Sequence, residues 1–187
     1  RIAACFFGLF RAGTRLALPT IEANLLRQLR QAGGLDIFIH AMLATVETSS
    51  LAGNVNGTVL DVDEYKRFHP CVAMAEVQDV VDQEHNLAAI ANRMNITEYS
   101  ETTKLNIVRS RYSVWRAGRL VRSRESMTGV LYTHVVMARP DTAFLAPVRW
   151  EPLPDAIRVP NFHNNFGMGV NDRFAYGPPH LMLDDLM

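Results

Sequence analysis

Apolar residues in this chain follow two rhythms, and the switches between them outline its first part. Ile2 to Phe7 is an unbroken apolar run closed by Gly8, and Leu35 to Ala41 is a second, mainly apolar stretch. Runs of this length predict strands covered on both faces, as in a parallel sheet. Between them the spacing changes to threes and fours. Ile21, Leu25, Leu26, Leu29 and Ala32 fall on one face of a helix that Pro19 opens and Gly33-Gly34 ends. Glu22 near its start and Arg27 and Arg30 near its end suit the helix dipole. Gly8 to Arg15 forms the intervening flexible loop and carries two cations, Arg11 and Arg15.

Residues 45 to 58, rich in Thr, Ser, Gly and Asn, predict a loop, and Val72 to Val77 a third strand with Glu76 near its end. Leu87, Ile90, Ala91 and Met94 mark a helix. After a polar loop containing Asn95 to Thr103, a longer helix runs from about Lys104 to Val121, with Leu105, Val108, Tyr112 and Trp115 as its buried stripe. Arg109, Arg111, Arg116, Arg119, Arg122 and Arg124 crowd the rest of that helix and its exit. Leu131 to Ala138 predicts a central strand. Pro147 to Pro160 is irregular apart from a short strand at Ile157 to Val159, Phe174 to Tyr176 is a further strand, and a last helix follows Pro178-Pro179. The alternation predicts an α/β fold with a mostly parallel central sheet. No internal repeat or low-complexity linker divides it, so residues 1–187 form a single domain. The start within a strand and the end within a helix suggest a domain excised from a longer polypeptide.

Composition narrows the function classes. At 187 residues, with 48% hydrophobic and 20% charged positions, the chain has the make-up of an ordinary soluble globular domain. Lys+Arg 19 balances Asp+Glu 19, so no global field draws it to nucleic acid or an anionic membrane. Cys5 and Cys71 give neither a disulfide framework nor a zinc site, and Cys5 in its apolar strand reads as a buried free thiol. No apolar run reaches the ~20 residues that span a bilayer. Asn56-Gly57-Thr58 and Asn95-Ile96-Thr97 match the glycosylation acceptor pattern, which is loose enough to arise by chance. The cytoplasm and the secretory-pathway lumen both remain open as locations.

Two polar clusters carry the candidate chemistry. Val135-Val136-Met137-Ala138 runs straight into Arg139-Pro140-Asp141, so a buried strand delivers a cation and a carboxylate to the carboxyl edge of the sheet. Open α/β sheets bind ligands at that edge. Asp141 could hold a divalent cation, Arg139 could grip phosphate through its planar fork, or the two could form a strand-ending ion pair. Asn171-Asp172-Arg173 precedes the aromatic strand. Asp172 could accept a proton from a hydroxyl, cap a helix or pair with Arg173. Arg11 and Arg15, in the first loop after the first strand, occupy a common nucleotide-contact position, and Arg109 and Arg111 are candidates from the basic helix. His163 lies in a polar loop where it could meet metal or substrate. No dinucleotide fingerprint or Walker loop is present, which counts against a dinucleotide enzyme or an ATPase, and without a serine-hydrolase elbow that chemistry has no support.

Gly8-x-x-Arg11 after the opening strand, Ser113-Val114-Trp115-Arg116-Ala117, the strand ending Arg139-Pro140-Asp141, and Asn171-Asp172-Arg173-Phe174-Ala175-Tyr176-Gly177 occur in that order. This series resembles uncharacterised glycosyltransferase-like proteins of the GT-A nucleotide-diphospho-sugar transferase type. The resemblance implies a Rossmann-like, GT-A-type three-layer sandwich that moves a sugar from a nucleoside-diphosphate sugar to an acceptor hydroxyl on a carbohydrate or glycoconjugate. Asp141 then stands at the place of the metal-binding Asp-x-Asp motif, for Mn or Mg, with Asp172 as catalytic base. Arg11, Arg15, Arg109, Arg111, Arg139, Asn171 and Arg173 would contact the donor. The position two before Asp141 is Arg139 rather than an acid, so Arg139 could supply charge that a metal would otherwise give. Two rivals stand beside this reading: a non-catalytic nucleotide- or sugar-binding domain, and a module docking acidic partners through the arginine-rich helix.

Overall fold

The computed structural model describes residues 1–46, 57, 59–161 and 172–185. Its sheet has five strands: β1 (Ile2–Leu9), β2 (Leu35–Leu43), β3 (Val72–Val77), β4 (His134–Ala138) and β5 (Phe174–Gly177). They lie in the order β3-β2-β1-β4-β5. The first four run parallel, and β5 returns antiparallel to β4 with Ala138 opposite Phe174. The chain is thus α/β with a mixed, mostly parallel sheet.

The helices cover both faces, for a reason visible in β1. Ile2, Ala4 and Phe6 point to one side, where Ile21, Leu25, Leu26 and Leu29 pack. Ala3, Cys5 and Phe7 point to the other, against Val114, Ala117, Leu120 and Val121. Alternation across a strand buried on both faces demands apolar residues at every position, which is why these segments read as continuous runs. Cys5 lies inside the second layer, and burial pushes its thiol pKa far up. It is an inert packing residue.

The first helical layer begins earlier than expected. Helix α1 spans Ala12–Ile21, with Arg11 at its N-cap and Pro19 inside it rather than at its start. A proline there has no N–H to donate to the preceding turn. A wider π-helical turn follows at Glu22–Leu26, and α2 continues over Arg27–Gly33. The expected loop from Gly8 to Arg15 is correspondingly short: Gly8 and Leu9 belong to β1, and Arg15 lies in the first turns of α1.

Beyond β3 the helix expected from Leu87 forms as α4 (Leu87–Asn92), and a further short helix, α3 (Gln78–Glu84), precedes it, separated by Asn86 in the left-handed region. Helix α5 is longer than its apolar pattern, spanning Glu101–Thr128, with Ser100 Oγ accepting the Thr103 N–H and Gly129 ending it at φ +70°. Its buried stripe is not the expected one. Ser113, Val114, Ala117, Leu120 and Val121 face the sheet. Leu105, Val108 and Tyr112 pack sideways against Val81 and Leu87, and Trp115 is 39% exposed. The expected strand at Ile157 to Val159 reduces to one bridge between Arg158 and Tyr176, and the last helix is a wide turn at Leu181–Asp185. Among the described residues no helix is long and apolar enough to cross a membrane.

Candidate functional site

The carboxyl ends of the parallel strands open into a cavity of about 470 Å³. Phe7, Gly8 and Leu9 of β1, Met42 and Ala44 at the end of β2, and Arg139-Pro140-Asp141 after β4 form its sheet-edge side. Gln78 of α3 and Thr103, Asn106, Ile107, Arg109 and Ser110 of α5 form the facing wall. Val46, Arg11, Asp172 and Arg173 complete the lining.

The two polar clusters meet here. Arg139 donates its backbone N–H to the Arg173 carbonyl at 2.9 Å, extending the β4–β5 pairing by one step past Ala138 and Phe174. Arg139 then folds back on its own loop. Its Nε and Nη2 donate to the two Asp141 oxygens at 3.0 and 2.8 Å, a bidentate pair. The remaining nitrogen, Nη1, lies 3.8 Å from Asp172 Oδ2, an ion pair beyond hydrogen-bond range. Helix α1 starts against the same loop: a Cβ on Gly13 would lie 3.8 Å from that of Asp141. Burial acts to raise the pKa of Asp141, but the hydrogen bonds and charge of Arg139 and the charge of Arg11 outweigh it. Asp141 is therefore held ionised, and Arg139 is held protonated by the same pairing.

Among the described lining residues are four guanidiniums, Arg11, Arg109, Arg139 and Arg173, and two carboxylates, Asp141 and Asp172. Arg109 does not present a free fork. It is locked onto Asp82 and donates Nη1 to Asn106 Oδ1 at 2.9 Å. Arg15 is turned away into a neighbouring recess of about 200 Å³, where it binds Glu64 at 3.0 Å. Arg111 is exposed on α5 and does not line the cavity. Asn171 and His163 lie outside the described residues.

Comparison with protein-family models, with curated proteins and with solved structures finds no match to this chain. The cavity must be interpreted from its own chemistry.

The resemblance to an Asp-x-Asp motif implies a divalent cation at Asp141. Among the described residues no group of three or more His, Cys, Asp or Glu side chains is placed to hold a metal ion. Both oxygens of Asp141 already accept from Arg139. Hard cations take about six or more oxygen ligands, and this donor set does not fit one. The same lining gathers Arg139, oriented by Asp141, with Arg11 and Arg173.

Of the α5 wall the sequence reading named only Arg109. Thr103, Asn106 and Ser110 are spaced three and four apart, placing uncharged polar groups on one face of the helix. That periodicity is visible in the sequence, but it does not show in a search for apolar stripes.

Proposed function

We propose that this domain is a glycosyltransferase of the GT-A nucleotide-sugar type, with the nucleoside-diphosphate sugar in the 470 Å³ cavity. The observation that carries the reading is the meeting of Arg139-Pro140-Asp141 with Asp172-Arg173 at the carboxyl edge of a parallel sheet. Ligands of open α/β sheets bind at that edge, and β1 between β2 and β4 is the order expected of a Rossmann-like arrangement.

Transfer breaks the bond between the anomeric carbon and the diphosphate oxygen and forms one to the acceptor oxygen. Negative charge grows on the departing diphosphate, and Arg139, with Arg11 and Arg173, stabilises it electrostatically. Asp141 orients the Arg139 fork. The acceptor proton goes to Asp172, whose side chain is 48% exposed and so accessible to an acceptor arriving from solvent. No step is assigned to a metal.

The test is a thermal-shift and calorimetric series with UDP, GDP and their sugars, with and without Mn or Mg, followed by assays of donor hydrolysis and transfer. Binding to the folded state raises the melting temperature by mass action. A series in which no nucleotide changes it would refute the proposal.

The absence of an acid two positions before Asp141 favours a second reading, a binding domain that keeps the donor site without transfer. Donor binding with neither hydrolysis nor transfer would select it. Docking of acidic partners through α5 has less support, because Arg109, Arg116 and Arg122 are already paired with Asp82, Glu76 and Asp184.

A further inference from the structure

Behind the cavity floor lies a buried polar pair that the transfer chemistry does not use. His40 of β2 and Ser113 of α5 are both fully buried. Ser113 Oγ lies 2.6 Å from His40 Nδ1 and accepts the Gly8 N–H at 2.7 Å. His40 Nε2 lies 2.6 Å from Glu76 Oε2. Glu76 is in turn gripped by Arg116, whose Nε and Nη2 donate at 2.9 and 2.8 Å. The Tyr112 hydroxyl completes the outer end, 3.3 Å from Glu76 Oε2 and 3.2 Å from His85 Nε2.

The proton positions follow from these partners. Burial acts against the charged form of Glu76, but the bonds from Arg116 and His40 outweigh it and keep the carboxylate ionised. An ionised carboxylate only accepts, so His40 Nε2 carries the hydrogen. Burial also lowers the His40 pKa despite Glu76, favouring the neutral ring. Nδ1 is then an acceptor for the Ser113 hydroxyl hydrogen. This directs an Oγ lone pair at Gly8.

Gly8 is where this matters. The β1–β4 ladder runs only from Ile2 to Phe6 on β1, so on that side Gly8 lies past its end, while on the other it still pairs with Ala41 of β2. It adopts φ +97°, a left-handed conformation that only glycine takes at low cost. It also lines the cavity, and Arg11 follows three residues later at the N-cap of α1.

We infer that Ser113, held by His40, is a positioning residue: it fixes the Gly8 peptide and thereby the course of the chain that brings Arg11 to the cavity. The inference rests on the nucleotide-sugar reading for what Arg11 meets there.

The experiment combines amide hydrogen exchange at Gly8 with UDP affinity by calorimetry, in the wild type, Ser113→Ala, Arg11→Ala and the double variant. Ser113→Ala should speed exchange by ~10-fold or more at Gly8 while the centre of β1 stays protected. UDP affinity should fall ~5-fold to 10-fold, and little further in the double variant than in Arg11→Ala alone, because residues acting through one another are not additive. Should Ser113→Ala fail to fold, Gly8→Ala carries the same test. Its new Cβ meets no atom within 4 Å, so it strains this peptide without a clash. Losses that add to that of Arg11→Ala, or loosening spread evenly over the sheet, would overturn the inference alone. Failure of the wild type to bind UDP or any other nucleoside diphosphate would overturn the transferase reading and this inference together.

Discussion

Two arginine–aspartate pairs stand at opposite ends of the sheet, and they differ in what surrounds them. At the amino edge, Arg1 donates to both Asp36 oxygens, at 2.7 and 2.5 Å, and the Tyr132 hydroxyl adds a third bond at 2.7 Å. Only 9% of the Asp36 side chain is exposed. At the carboxyl edge, Arg139 grips Asp141 in the same bidentate manner, but its third nitrogen faces Asp172 at 3.8 Å across an open cavity. In the first cluster the buried carboxylate carries three bonds and joins the strand starts. The second leaves a guanidinium nitrogen and a carboxylate without a close partner in each other. An arginine–aspartate motif therefore says little about function until its remaining hydrogen-bonding capacity is counted.

The sharpest way to break this contrast is to neutralise one acid at each end. Asp172→Asn should reduce glycosyl transfer by ~10²-fold to 10⁴-fold, the usual contribution of a general base, with UDP affinity within about twofold of wild type. Asp36→Asn should leave both unchanged. Equal turnover in wild type and Asp172→Asn, measured with the same donor and acceptor, would remove Asp172 from the mechanism and make the two ends alike.

Arginine replacement should give the next largest effect. Arg139→Met removes charge-assisted bonds of about 1.5–3 kcal/mol, so UDP binding should weaken by ~10-fold to 100-fold. Arg1→Met should not alter it. Calorimetry on the two variants compares the edges directly, and parity between them would sink the assignment of the cavity to a diphosphate.

Asp36→Asn separates the edges by stability instead. It disturbs a carboxylate that serves the buried Tyr132 hydroxyl, and a loss of about 1–3 kcal/mol in urea unfolding is expected. Asp172→Asn, at a half-exposed position, should stay within about 0.5 kcal/mol.

The same comparison explains which features were legible in the sequence. β1, β2 and β4 could be read because strands buried on both faces admit few polar residues. The convergence of Arg139-Pro140-Asp141 with Asp172 was legible because both segments adjoin strands that pair, with Ala138 opposite Phe174. The pairing of Arg15 with Glu64 and of Arg109 with Asp82 was not legible, because these partners are distant in sequence and leave no local trace. The inward face of α5 was misread for another reason. It approaches the sheet through small residues, Ser113, Ala117 and Gly118, which carry little hydrophobic signal beside Leu105, Tyr112 and Trp115. Pro19 was placed at a helix start because that is where proline does least harm, yet α1 accommodates it internally, three residues before the wider turn that starts at Glu22.

The smallest expected effect uses pH to distinguish two residues of β2, Asp36 at its start and His40 further along. Hydrogen bonds from Arg1 lower the Asp36 pKa, against burial and with help from Tyr132. Its contribution to stability is present above the unfolded carboxylate value of 3.8 and is lost as pH falls through the lower folded value. His40 is also lowered, by burial working against Glu76, but here the neutral form is the one the fold prefers. The unfolded chain then binds the extra proton, so stability is fully present above 6.5 and declines as pH falls from there toward the folded value. Arg116 adds repulsion to a protonated His40, and Glu76 opposes it. Melting should therefore show two separate steps on acidification. Between pH 7 and 5, His40→Gln should remove the decline in melting temperature that acidification causes. Asp36→Asn should leave that step in place and flatten only the one below pH 4, since its titration lies wholly in the acid range. If His40→Gln left the step between pH 7 and 5 unchanged, the neutral ring assigned to His40 would be wrong, and with it the hydrogen-bond direction that points Ser113 at Gly8.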